Sequence, residues 1–105
     1  MKFGNTIIYV PDVPASLTFF ERAFGFSRRF LHESQTYGEL DTGETTLSFA
    51  AHALGDMNFN GGHVEASSSS KPLGMEVAFV TDDVAAAHAQ AVSAGATELS
   101  APLAK

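Results

Sequence analysis

The chain has 105 residues, 12 acidic against 6 basic, a formal charge of -6, 45% hydrophobic residues and no cysteine. That is one globular domain's worth of chain with no basic cluster, which argues against a nucleic-acid partner, and with no thiol for a disulfide frame or a thiolate metal site. No apolar run approaches the ~20 residues that span a bilayer, and the opening "MKFGNT" lacks the apolar run of a signal peptide, so the expected setting is the cytoplasm with no membrane partner.

In chain order, Phe3 to Val10 is rich in Ile, Val and aromatic residues and predicts a strand. Asp12 is a good helix N-cap and Pro14 suits the first turn beyond it. Leu17, Phe20 and Phe24 then recur at helical spacing until Gly25 stops the helix. Three strands are expected next: Ser27 to His32, Thr36 to Asp41 and Thr45 to His52, the last two joined through the hairpin signal "DTGE". Ala53 to Gly74, with "GG", "SSSS" and "KPLG", reads as loop and linker. Met75 to Thr81 predicts a strand. Asp82 or Asp83 caps an alanine-rich helix that stops at Gly95, and Thr97 to Ser100 begins another strand.

The second pattern repeats the first. Asn5 matches Glu76, Ile8 matches Phe79, Asp12 matches Asp83 and Val13 matches Val84 at a constant offset, which slips by one residue where Gly25 meets Gly95. A shared Asp-Val cap and a shared Gly stop point to duplication of a strand-helix unit. Any two amphipathic strand-helix units also share apolar positions.

The stretches "NTIIYVPDVPASLTFFERAFGF" and "MEVAFVTDDVAAAHAQAVSAGATEL" resemble the vicinal-oxygen-chelate superfamily of glyoxalases, bleomycin-resistance proteins and extradiol dioxygenases. The resemblance implies an α+β fold of paired βαβββ modules with a mixed, curved, cup-like sheet. It divides the single domain, 1–105, into module one (1–52), a linker (53–74) and a partial module two (75–105). A full second module takes about 15 to 20 residues beyond Lys105, on usual strand and hairpin lengths, so module two is expected to be incomplete and to present an open sheet edge. The resemblance also implies a homodimer.

Relatives that do chemistry hold one divalent metal with His and Glu on the concave face. By strand alternation, the matching positions here are Asn5, Ser48 and Glu76, with a fourth beyond Lys105. An amide, a hydroxyl and one carboxylate are a poor transition-metal set, so no metal cofactor is expected. His32, His52, His63 and His88 show no H-x-x-x-H spacing and read as surface or strand-edge residues.

The concave set is then Asn5, Ile7 and Tyr9, with Ser48, Glu76 and Ala78, and with Tyr37 and Glu39 as an aromatic wall and a second acid. A Glu76–Asn5 pair has two readings: a polar anchor in an apolar small-molecule pocket, or a remnant of an ancestral metal site. Tyr37 and Glu39 likewise face either the cup or solvent. An acidic, aromatic cup attracts a cation. The leading expectation is a metal-independent small-molecule binder, of cationic drugs among others, of the bleomycin-resistance type. Its rivals are a metal-dependent glyoxalase-like lyase or dioxygenase, and an interaction module that accepts a strand at its open edge.

Overall fold

The structure is a computed structural model and describes residues 1–103; Ala104 and Lys105, the end of the expected second module, lie outside the described residues. The first module forms in full. Strand β1 (Asn5–Val10), helix α1 (Val13–Phe24), β2 (Ser27–Leu31), β3 (Tyr37–Asp41) and β4 (Thr46–Ala51) make one sheet in the order β1-β4-β3-β2. β1 runs parallel to β4, and the other pairs are antiparallel, so the sheet is mixed.

Local chemistry explains α1. The Asp12 carboxylate accepts the Ala15 N–H at 3.0 Å, and Gly25 closes the helix with a positive φ of 75°, a conformation that favours glycine. Leu17 and Val13 on the inner face of α1 pack against Leu40, Leu47 and Phe49, and all five are buried. Gly38 on β3 makes this approach possible: a Cβ there would lie 2.7 Å from a Leu17 methyl and 3.2 Å from the Phe30 carbonyl. A ring cluster of Phe20, Phe24, Phe26, Phe49 and Phe79 extends the core outward.

Three expectations are corrected. Residues 75–81 do not form a strand, because no described segment supplies the ladder of hydrogen bonds that a strand requires. Thr97 to Ser100 is irregular for the same reason. From the end of module one into the expected linker, His52–Asn58 forms a helix, α2, and Ala66–Ser68 forms a single 3-10 turn. The sequence hid α2 because it has an internal Gly55 and no side-chain cap at Ala51.

The helix of the second unit is as expected. Helix α3 (Val84–Ser93) starts at Asp83, whose carboxylate accepts the Ala86 N–H at 3.0 Å, and Gly95 follows it with a φ of 118°. It packs beside α1 through the buried Ala91 and a 2.9 Å hydrogen bond from the Gln90 amide to the Arg22 carbonyl. No helix among the described residues is long and apolar enough to cross a membrane.

Candidate functional site

The face of the sheet away from α1 collects its polar groups by alternation. Register places Ile7 beside Ser48, Tyr9 beside Ala50 and Glu39 beside Ser48. Asn5, Tyr37, Glu39 and Ser48 thus meet in one hydrogen-bonded group. The Tyr37 hydroxyl lies 2.7 Å from Glu39 Oε2, 3.2 Å from Ser48 Oγ and 3.1 Å from Asn5 Nδ2, while Asn5 Nδ2 also reaches Ser48 Oγ at 3.3 Å.

Donor counting orients the network. A phenol has one proton, and the short contact to a carboxylate claims it. The Ser48 hydroxyl therefore donates to the Tyr37 oxygen, and the Asn5 amide donates to both. All donors run toward Glu39, which is the terminal acceptor and forms no salt bridge among the described residues. Ser48 is fully buried, so its satisfied hydroxyl is required rather than ornamental. Burial pushes the Tyr37 phenol above its ordinary value; the hydrogen bond to Glu39 and the charge of Glu39 add to the rise, while the bonds with Ser48 and Asn5 oppose it.

Other residues reach this face unannounced by the sequence. Strand β2 shifts register between Arg28 and Phe30, a bulge that turns two successive side chains to one side. Arg29 Nη1 donates to Thr46 Oγ1 at 2.6 Å and its Nη2 lies 3.5 Å from Asp41, while the Phe30 ring stands 6.4 Å from Tyr37. Arg28, by contrast, bonds Thr18 and Glu21 on the α1 side. At the opposite end of the face, Tyr9 accepts from Asn58 at 3.2 Å and packs edge-on to Phe59.

Not every expected site residue joins the group. Ile7 is on this face and 42% exposed. Glu76 and Ala78 are exposed on the unpaired 75–81 segment, and among the described residues Glu76 makes no hydrogen bond to Asn5. Glu39, not Glu76, is the carboxylate to which Asn5 is linked, through Tyr37.

The three positions that family resemblance assigns to a metal do not fit one. Ser48 Oγ is buried and engaged by Asn5 and Tyr37, Asn5 presents its NH2 rather than a lone pair, and Glu76 stands apart from both. These groups hold each other and offer no converging anionic donors.

His52, expected at a strand end, and His63, expected as a solvated loop residue, are instead neighbours: His52 Nδ1 and His63 Nε2 are 3.0 Å apart and the rings stack at 5.2 Å. Their proximity depends on α2 turning the chain back, which the sequence pattern does not announce. His88 lies 2.5 Å from Glu98 across the end of α3, and His32 bonds Ser34 within its own turn.

An open apolar cleft of about 840 Å³ lies on the other side of the sheet, between α1, α3 and Val77–Thr81. Its walls are mainly apolar side chains of Phe, Val and Ala. Orientation of a ligand needs a few placed polar groups, and these are on the concave face.

Residues 2–103 match the model of the Glyoxalase/Bleomycin resistance protein/Dioxygenase superfamily. The structure is similar to the crystal structure of a glyoxalase/bleomycin resistance protein/dioxygenase family enzyme from Burkholderia phytofirmans PsJN, with a TM-score of 0.76 and 25% identity over 96% of this chain and 79% of that one. It is also similar in fold to a bleomycin resistance determinant encoded on the transposon Tn5, with a TM-score of 0.58 and 22% identity over 97% of this chain and 72% of that one. Comparison with curated proteins finds no match.

Proposed function

This chain belongs to the Glyoxalase/Bleomycin resistance protein/Dioxygenase superfamily, and we propose that its concave face binds a small cationic molecule without a metal. The observation that carries the reading is the one-way network from Asn5 and Ser48 through Tyr37 to Glu39, a carboxylate with no salt-bridge partner among the described residues. A cationic group seated on Glu39 completes that network. Tyr37 and Phe30 supply aromatic faces beside it, and cations gain on such faces. The likeness to a bleomycin resistance determinant supports a drug-like ligand. The same reading takes the protein as a cytoplasmic homodimer, with no nucleic-acid or membrane partner given its formal charge of -6.

The test is calorimetric titration with bleomycin and with planar aromatic cations, on protein stripped by chelator. Binding by the stripped protein, weakened at least about tenfold by Glu39→Gln, is the expected result; an isosteric change removes only the charge that a bound cation contacts. Unchanged affinity in Glu39→Gln overturns the anchor. The second reading, an enzyme, rests on the description of the Burkholderia relative as one. Turnover of a glyoxalase or dioxygenase substrate that requires added metal decides for it.

A further inference from the structure

The His52–His63 pair has more order than two chance neighbours need. His63 Nδ1 is a buried atom that lies 3.1 Å from Asp56 Oδ1 without forming a proper hydrogen bond, and His52 Nε2 is 3.2 Å from Ser67 Oγ. His52 thus has a hydrogen-bond partner at its outer nitrogen, and His63 has a carboxylate beside its own. The inner nitrogens, His52 Nδ1 and His63 Nε2, face one another at 3.0 Å. One ligand atom from each of His52, His63 and Glu65 lies within 4.8 Å of the others.

Two features of the backbone enforce this convergence. His52 continues the alternation of Ser48 and Ala50 at the end of β4, and so enters on the concave side. Gly55 leaves room for the second ring: a Cβ at Gly55 would lie 2.7 Å from His63 Cε1 and 3.0 Å from Tyr9 Cδ1. The His63 side chain, only 12% exposed, packs against Tyr9 at 5.2 Å and Phe59 at 5.9 Å. Charge adds a third argument. Asp56 and Glu65 bring two carboxylates to the cluster, and neither pairs with a Lys or Arg among the described residues.

We propose that His52, His63 and Glu65 form a binding site for one divalent transition-metal ion, separate from the Asn5–Tyr37–Glu39–Ser48 group. His52 Nδ1, His63 Nε2 and a Glu65 carboxylate oxygen are the donors, a set that suits Zn²⁺ and its neighbours. Ser67 Oγ bonds the outer nitrogen of His52 and the Asp56 carboxylate stands 3.1 Å from that of His63, the positions from which partners fix ring orientation around a metal. Zn–N bonds of about 2.0–2.1 Å in a tetrahedral site place the two nitrogens about 3.3 Å apart, a few tenths of an ångström beyond their present 3.0 Å. Three protein donors leave a fourth position for water or a ligand atom. The bound ion cross-links the end of β4 to the loop that follows α2.

The experiment is titration of the chelator-stripped full chain with Co²⁺ as an optical probe, followed by displacement with Zn²⁺. One Co²⁺ per chain with a visible ligand-field spectrum is expected, and Zn²⁺ bleaches it. Glu65→Gln weakens uptake at least about tenfold, His63→Gln removes the spectrum, and His32→Gln, a histidine outside the cluster, leaves it unaltered. Glu65 sits between α2 and the 3-10 turn, outside the packed sheet, so its variant keeps the test valid if His63→Gln does not fold. No Co²⁺ spectrum, or one that survives Glu65→Gln and His63→Gln alike, overturns the proposal and leaves the pair as a simple imidazole hydrogen bond. No cup residue is a donor here, so this result and the cup titration fail independently.

Discussion

At the level of single residues, Tyr37 concentrates the chemistry of the concave face. Its phenol is bonded on three sides and its proton is held by Glu39. Burial raises its pKa above the ordinary value of about 10. The sign of the linkage follows. Between about pH 10 and the raised folded value, the unfolded chain has lost this proton and the folded chain retains it, so stability falls as pH rises through that window. Below it the contribution is fully present. Absorbance titration of the phenolates is expected to show a tyrosine that ionises above pH ~10 and vanishes in Tyr37→Phe; a single ordinary transition for both tyrosines would contradict the network. Asn5, Ser48, Tyr37 and Glu39 were each legible as candidates because a two-residue period assigns faces once strands are known, although Tyr37 and Glu39 were open between cup and solvent and the expected partner of Asn5 was Glu76. Arg29 and Phe30 were not, because a bulge shifts the period by one residue and leaves no mark in composition.

At the level of elements, α1 against the sheet is the mechanical base of the site. Leu17 is fully buried between Val13 and the sheet residues Leu40, Leu47 and Phe49. Denaturant unfolding is expected to show a loss of about 2–5 kcal/mol for Leu17→Ala, from lost burial plus a cavity. Gly38→Ala is expected to cost about 1–3 kcal/mol, because its methyl meets Leu17 and the Phe30 carbonyl. A neutral Gly38→Ala would mean that α1 rides farther from β3. The sequence pattern exposed α1, both Asp caps and the four strands of the first unit. It did not expose Gly38 as a contact, since a glycine in a strand has no side chain to signal which neighbour it admits.

At the level of the whole molecule, the radius of gyration is 14.7 Å, against about 13 Å for a compact chain of this length. The difference comes with an unpaired segment whose Val77, Phe79 and Val80 are 46%, 37% and 101% exposed. An exposed apolar segment with free backbone groups seeks a partner, which supports the proposed homodimer. Sedimentation velocity is expected to show self-association that Val77→Lys with Val80→Lys reduces; monomers at all concentrations in both proteins would set this surface aside. The residues alone determined the helix caps, the strands of the first unit, its buried face and the family, because these depend on local backbone preference and on periodicity within one element. Only the tertiary structure decided which carboxylate joins Asn5, that two distant histidines meet, and that residues 75–81 remain unpaired. Each of these depends on what lies opposite in space: a ladder partner, a turn that brings a loop back, or a bulge that redirects a side chain.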